Sequence, residues 1–133
     1  MSKETYIKWD HPTNPVVSMM NTSICFDMEG FRMIFQENES KDFHRIRFDY
    51  HYFVQWCDEG SKLKTVLSVE RPRCMIYEIL NSNLLEKFFE EGCSRWDASK
   101  GTFKHFSIWA SDMIIDVITN EEPVVERLPI DRD

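Results

Sequence analysis

Asp49 and His51 are the residues best spaced to do chemistry. They lie two apart in the run from His44 to Trp56, so on an extended strand both side chains leave the same face and can couple directly or through one water as general acid and base. Arg45 and Arg47 continue that row and supply cations for an anionic ligand. The plainer reading is a solvated strand face whose opposite charges pair for solubility, and it takes precedence.

Other catalytic and metal arrangements are not expected. His44 and His105 fall on separate expected strands, and no His-x-His, His-x-x-x-His or H-E-x-x-H spacing aims two imidazoles at one ion. Cysteines 25, 57, 74 and 93 form no C-x-x-C knuckle. Serines 23, 68, 82, 107 and 111 have no G-x-S-x-G turn, and neither glycine pattern that cradles phosphate is present. The expectation is therefore no cofactor and no metal, with the non-enzymatic reading preferred and catalysis left open.

Binding is better served. The chain has 133 residues, 42% hydrophobic and 14% aromatic, and its 23 Asp and Glu outweigh 16 Lys and Arg for a formal charge of −7. Such a field repels a phosphate backbone, so nucleic acid is excluded as the expected partner. Acidity has two readings, solubility or an acidic face that engages a basic partner. Trp96, between Arg95 and Asp97 in a polar stretch, is a candidate partner anchor or folds back over the helix, while the other tryptophans are expected in the core. No apolar run reaches the roughly 18 to 20 residues that span a bilayer. The start, Met1-Ser2-Lys3-Glu4-Thr5, is charged and polar and does not read as a signal peptide. A cytoplasmic protein with reduced thiols is expected, with Cys25 and Cys74 buried as small hydrophobes.

The positioning elements follow from periodicity. His44 to Trp56 alternates with period two and reads as one long, bent strand, disturbed near Phe53; the turn at Asp58-Glu59-Gly60-Ser61 then leads into Leu63 to Val69 as a hairpin partner. Ser23 to Phe26 and Phe31 to Phe35 form another hairpin around Gly30. Tyr6 to Trp9 is at best an edge strand before the prolines at 12 and 15. Cys74 to Leu80 reads as a strand, followed by one helix capped by Asn83 with Glu86 reaching back, buried through Leu84, Leu85, Phe88 and Phe89, and stopped at Gly92. Phe103 to Trp109 is a further strand. Met113 to Ile118 fits a strand or a helical turn, and its β-branched residues favour a closing hairpin. Residues 120–133 carry Pro123 and Pro129 and read as an extended acidic tail; residues 1–20 read as irregular apart from the edge strand. The sum is one α+β domain over 1–133, a single mainly antiparallel, strongly twisted sheet of about six or seven strands packed on one short helix.

Ile79-Leu80-Asn81-Ser82-Asn83-Leu84-Leu85-Glu86-Lys87-Phe88, then His105 to Ile108, Ser111 to Ile118 and Glu122-Pro123, resemble small uncharacterised bacterial proteins. The resemblance covers roughly the C-terminal 45% and its motifs are structural. It implies a link to immunity partners of bacterial toxins and transfers no catalytic residue.

Two functions follow as expectations. The first is a non-enzymatic protein-binding module, of the immunity or inhibitor kind, acting through an acidic surface on a basic protein partner. The second is a small-molecule-binding or acid/base enzyme domain with a pocket between curved sheet and helix. An edge strand would also permit a homodimer.

Overall fold

The computed structural model describes residues 4–15, 19–28, 30–58, 74–92, 102–111 and 113–128. In chain order these form β1 (Thr5–Lys8), β2 (Met19–Asp27), β3 (Gly30–Glu37), β4 (Phe43–Phe48), β5 (Phe53–Asp58), β6 (Ile76–Leu80), α1 (Asn83–Gly92), β7 (Lys104–Trp109), β8 (Met113–Thr119) and β9 (Val124–Leu128). Among the described residues, antiparallel strands with one helix give the expected α+β class. The single sheet of six or seven strands is corrected, because the strands divide into a five-stranded sheet, β1-β6-β7-β8-β5, and a four-stranded sheet, β2-β3-β4-β9.

The division falls inside the expected long strand. β4 ends at Phe48 and pairs with β3 and β9, whereas β5 begins at Phe53 and pairs with β8 in the other sheet. Residues 49–52 carry the chain from one layer to the other. The rest of the hairpin expected beyond Asp58, Leu63 to Val69, lies outside the described residues.

The two sheets share a core. Phe31, Met33, Phe35, Ile46 and Phe48 from the four-stranded sheet form one apolar cluster with Ile76, Phe106, Ile108, Ile115 and Val117 from the five-stranded one and Met75 just before β6. The Phe48 and Phe106 rings, 6.0 Å apart, join the layers directly. β3 alternates buried and half-buried residues, as a sheet with one covered face should. β7 and β8 are buried on both faces. Their second face carries His105, Ser107, Trp109, Ile114, Asp116 and Ile118, and α1 covers one end of it through Phe89 packed with Phe103 and Ile118.

Several local expectations hold. β2 and β3 are the first hairpin, turning tightly between Asp27 and Gly30. Gly30 is required there, since its φ is +99° and an added Cβ would lie 2.8 Å from the Phe48 carbonyl oxygen. β1 is an edge strand, and Met113 to Ile118 lies within a strand. Two local expectations are corrected. The residues between Pro123 and Pro129 are not merely a tail, since Val124–Leu128 pair with β4 as an edge strand that needs no proline amide. Met19 and Met20, expected in irregular chain, begin β2.

Candidate functional site

β6 turns into α1 through Asn81, whose φ of +55° lets the chain reverse within two residues. Ser82 rather than Asn83 is the helix cap. Its Oγ accepts the Leu85 amide hydrogen at 3.0 Å and its carbonyl accepts the Glu86 amide at 3.1 Å. Asn83 instead offers its backbone amide to the Glu4 carboxylate, at 2.9 Å.

The Ser82 hydroxyl also meets His105 Nδ1 at 2.6 Å, and His105 Nε2 meets Asp116 Oδ1 at 2.8 Å. An ionised Asp116 can only accept, so Nε2–H donates to it, and in the neutral imidazole Nδ1 is then the acceptor for the Ser82 hydroxyl hydrogen. All three side chains are buried, with Ser82 6%, His105 3% and Asp116 1% exposed. A serine hydroxyl, an imidazole and a carboxylate thus form one continuous chain beneath the start of α1. Tyr6 lies close enough for the Asp116 and Glu4 charges to reinforce what burial does first, which is to push its phenol well above the ordinary range.

Ser82 is the member of this chain that meets open space. A pocket of about 360 Å³ is lined by Ile79, Leu85, Phe89 and Phe103, with Glu78, Glu86 and Lys104 around it. Its origin is legible in the strand register. β6 and β7 pair through Ile76–Ile108, Tyr77–Ser107 and Glu78–Phe106, and the ladder then stops. Ile79 and Leu80 pair with β1 on their other side. The strands part at that point, and α1 roofs the wedge.

The residues singled out from sequence are placed elsewhere. Asp49 and His51 are not on a strand, because both belong to the connection between β4 and β5. Asp49 is exposed and ion-paired to Arg47. His51 packs 5.7 Å from the rings of Phe26 and Phe31, and burial holds its imidazole below the usual value. Arg45 and Arg47 both bond Glu126 Oε1, from their Nε atoms at 3.0 and 3.2 Å. Burial alone would raise the Glu126 carboxyl; the hydrogen bonds from the two arginines outweigh it, and the carboxyl falls below its ordinary value. Trp96, the candidate partner anchor, lies outside the described residues. His105, expected at the sheet surface, is buried instead. Cys74 is buried, while Cys25 is only half-buried. Among the described residues, no three His, Cys, Asp or Glu side chains gather as a metal site would require. No helix among them is long and apolar enough to cross a membrane.

A second feature was missed because Trp56 was read as core. It is 53% exposed, on β5, and its ring lies 6.4 Å from that of Phe26, 46% exposed on β2. β2 and β5 are each the last described strand of their sheet. The aromatic contact therefore bridges the two strands that end the sheets on this side among the described residues, with His51 beside it and exposed Met28 at the adjoining turn.

Comparison with known proteins adds no relative: no family, no curated protein and no solved structure matches the chain.

Proposed function

We propose that this chain is a protein-binding module, of the immunity or inhibitor kind, that captures a basic protein partner through the aromatic edge formed by Phe26 and Trp56. The observation that carries this reading is the exposure of two large contacting rings at a place where two sheet edges meet. Burial of such rings at an interface is worth more than that of any other side-chain type, and tryptophan leads among residues whose removal weakens complexes. The net charge of −7 supplies the long-range attraction that brings a basic partner to that edge, with an on-rate that falls as salt screens it. Nothing in this binding calls for a reaction, and it places no demand on Ser82.

The test is a matched pair of proteins, native and Phe26→Ala/Trp56→Ala, used to recover and quantify one partner at equal concentration. The native chain is expected to recover a stoichiometric basic protein, and the double variant at least tenfold less, with unchanged circular dichroism. Equal recovery by the two would remove the aromatic edge from the interface. An association rate indifferent to salt between 50 and 500 mM would remove the electrostatic part.

A further inference from the structure

We propose that the wedge between β6 and β7 is a separate catalytic site in which Ser82 is a nucleophile, His105 its base and Asp116 the group that orients the imidazole, acting on small carboxylic esters with an apolar acyl group. The inference is independent of the aromatic edge and rests on three observations.

The first is the direction of the chain. A serine that only capped α1 would need the Leu85 amide and nothing more. Here its proton is also given a buried acceptor, and that acceptor is itself braced by a buried carboxylate. This is the division of roles that activates a hydroxyl for attack: the base takes the proton, and the carboxylate fixes the tautomer and steadies the imidazolium that forms. The ring is used end for end relative to the serine proteases, with Nδ1 towards the nucleophile, which leaves the proton inventory unchanged.

The second is the arrangement around the pocket. Ser82 lines the cavity, while neither His105 nor Asp116 does. Substrate in the cavity meets Ser82 first, and the alcohol and water oxygens can reach His105 Nδ1 only at the attacked carbon, next to the 2.6 Å contact of Oγ with Nδ1. Ile79, Leu85, Phe89 and Phe103 supply apolar surface for an acyl group, Glu78, Glu86 and Lys104 supply polar surface in about equal measure, and a volume of about 360 Å³ accommodates a short acyl chain.

The third is the start of α1. Ser82 receives the Leu85 amide, a contact that strengthens as its oxygen gains charge.

The reaction balances without a cofactor. The Ser82 O–H proton moves to His105 Nδ1 as Oγ bonds to the ester carbon, and the carbonyl electron pair moves to its oxygen. Collapse of the adduct expels the alcohol oxygen, which takes the proton from Nδ1. Water then attacks the acyl-serine with its proton passing to Nδ1, and the carboxylic acid leaves as that proton returns to Oγ. The sum is ester plus water to acid plus alcohol.

The experiment treats the folded full chain with a fluorophosphonate, which phosphonylates activated serines, and follows intact mass and the modified peptide. A parallel assay measures p-nitrophenyl butyrate hydrolysis. The expected result is one adduct per chain, on Ser82, blocking hydrolysis and absent after thermal unfolding. His105→Gln keeps a donor for Asp116 and an acceptor for Ser82 but no base. It should fold and react 10² to 10⁴ times more slowly, on the order expected for loss of a general base. Ser82→Asn keeps the cap and removes the nucleophile, and should take no label. A native protein left unmodified by millimolar reagent overturns the proposal, as does labelling at Ser82 that His105→Gln leaves unchanged. Failure of the aromatic-edge test would not touch either result.

Discussion

Removing His105 alone should destabilise the fold far more than removing it together with Asp116. In a His105→Leu variant, Asp116, 1% exposed, loses the Nε2–H bond and must either carry a poorly compensated buried charge or take up a proton, and Ser82 loses the acceptor for its proton. Breaking a buried charged pair in this way costs about 3–5 kcal/mol, most of it from the carboxylate left without its imidazole. Against a total stability of about 5–15 kcal/mol this is a large share. With a urea slope of roughly 1.5 kcal/mol/M, the midpoint should fall by about 2–3 M. Leucine in both positions removes the stranded charge as well as its partner, and such apolar replacements of buried pairs are often neutral or better. The His105→Leu/Asp116→Leu double variant should therefore be at least about 1 kcal/mol more stable than His105→Leu, a coupling that urea titrations of the four proteins read directly. A single-variant cost below about 1 kcal/mol, or single-variant costs that simply add, would refute the claim that the chain is an interdependent buried unit.

Two further outcomes follow from the same structure. Gly30→Ala places a Cβ 2.8 Å from backbone oxygen at a φ of +99°, so it should destabilise by about 2 kcal/mol or more; a midpoint within error of native would show that the β2–β3 turn relaxes freely. The Glu37 carboxyl is lowered chiefly by the His44 hydrogen bond and next by Ser40, so the folded state favours its ionised form. That stability is complete above the unfolded value of 4.5 and is lost as pH falls through the lower folded value. Glu37→Gln should accordingly flatten the stability profile below pH 4.5, as read by urea midpoints across pH, and an unchanged profile would contradict the assignment.

Much of the fold was legible, and the main error has a definite cause. Hairpins, helix and closing strands each carried local turn, cap and alternation cues that agreed. The sheet count failed because β4 and β5 are joined by four residues, Asp49 to Tyr52. An even-numbered connection preserves the period-two phase, so Ile46, Phe48, Val54 and Trp56 read as one face of one strand although the chain has changed sheets. Periodicity reports which side of a strand is apolar and says nothing of which neighbour it pairs with. β9 was obscured differently: two prolines bracket five residues, enough for an edge strand whose ends need no proline amide.

The buried chain left a fainter signal that spacing rules do not detect. Ser82, His105 and Asp116 come from a helix cap and two strands, and no local motif unites them. One trace was present: Asp116 interrupts Met113-Ile114-Ile115-Asp116-Val117-Ile118, a strand too apolar to have a wet face. A carboxylate in such a strand must have partners, since an isolated buried charge is driven to neutralise. The four-stranded sheet obeys a different rule. Its second face is only partly covered, so Arg32, Arg45 and Arg47 can sit there with carboxylates beside them at little energetic consequence either way. Charge on that face is tolerated; charge between β8 and α1 must be compensated by specific hydrogen bonds. This asymmetry is why the row of arginines with Asp49 and His51, conspicuous in the sequence, resolves into surface pairs, while the histidine assigned to a sheet surface stands between a nucleophilic hydroxyl and a fully enclosed carboxylate.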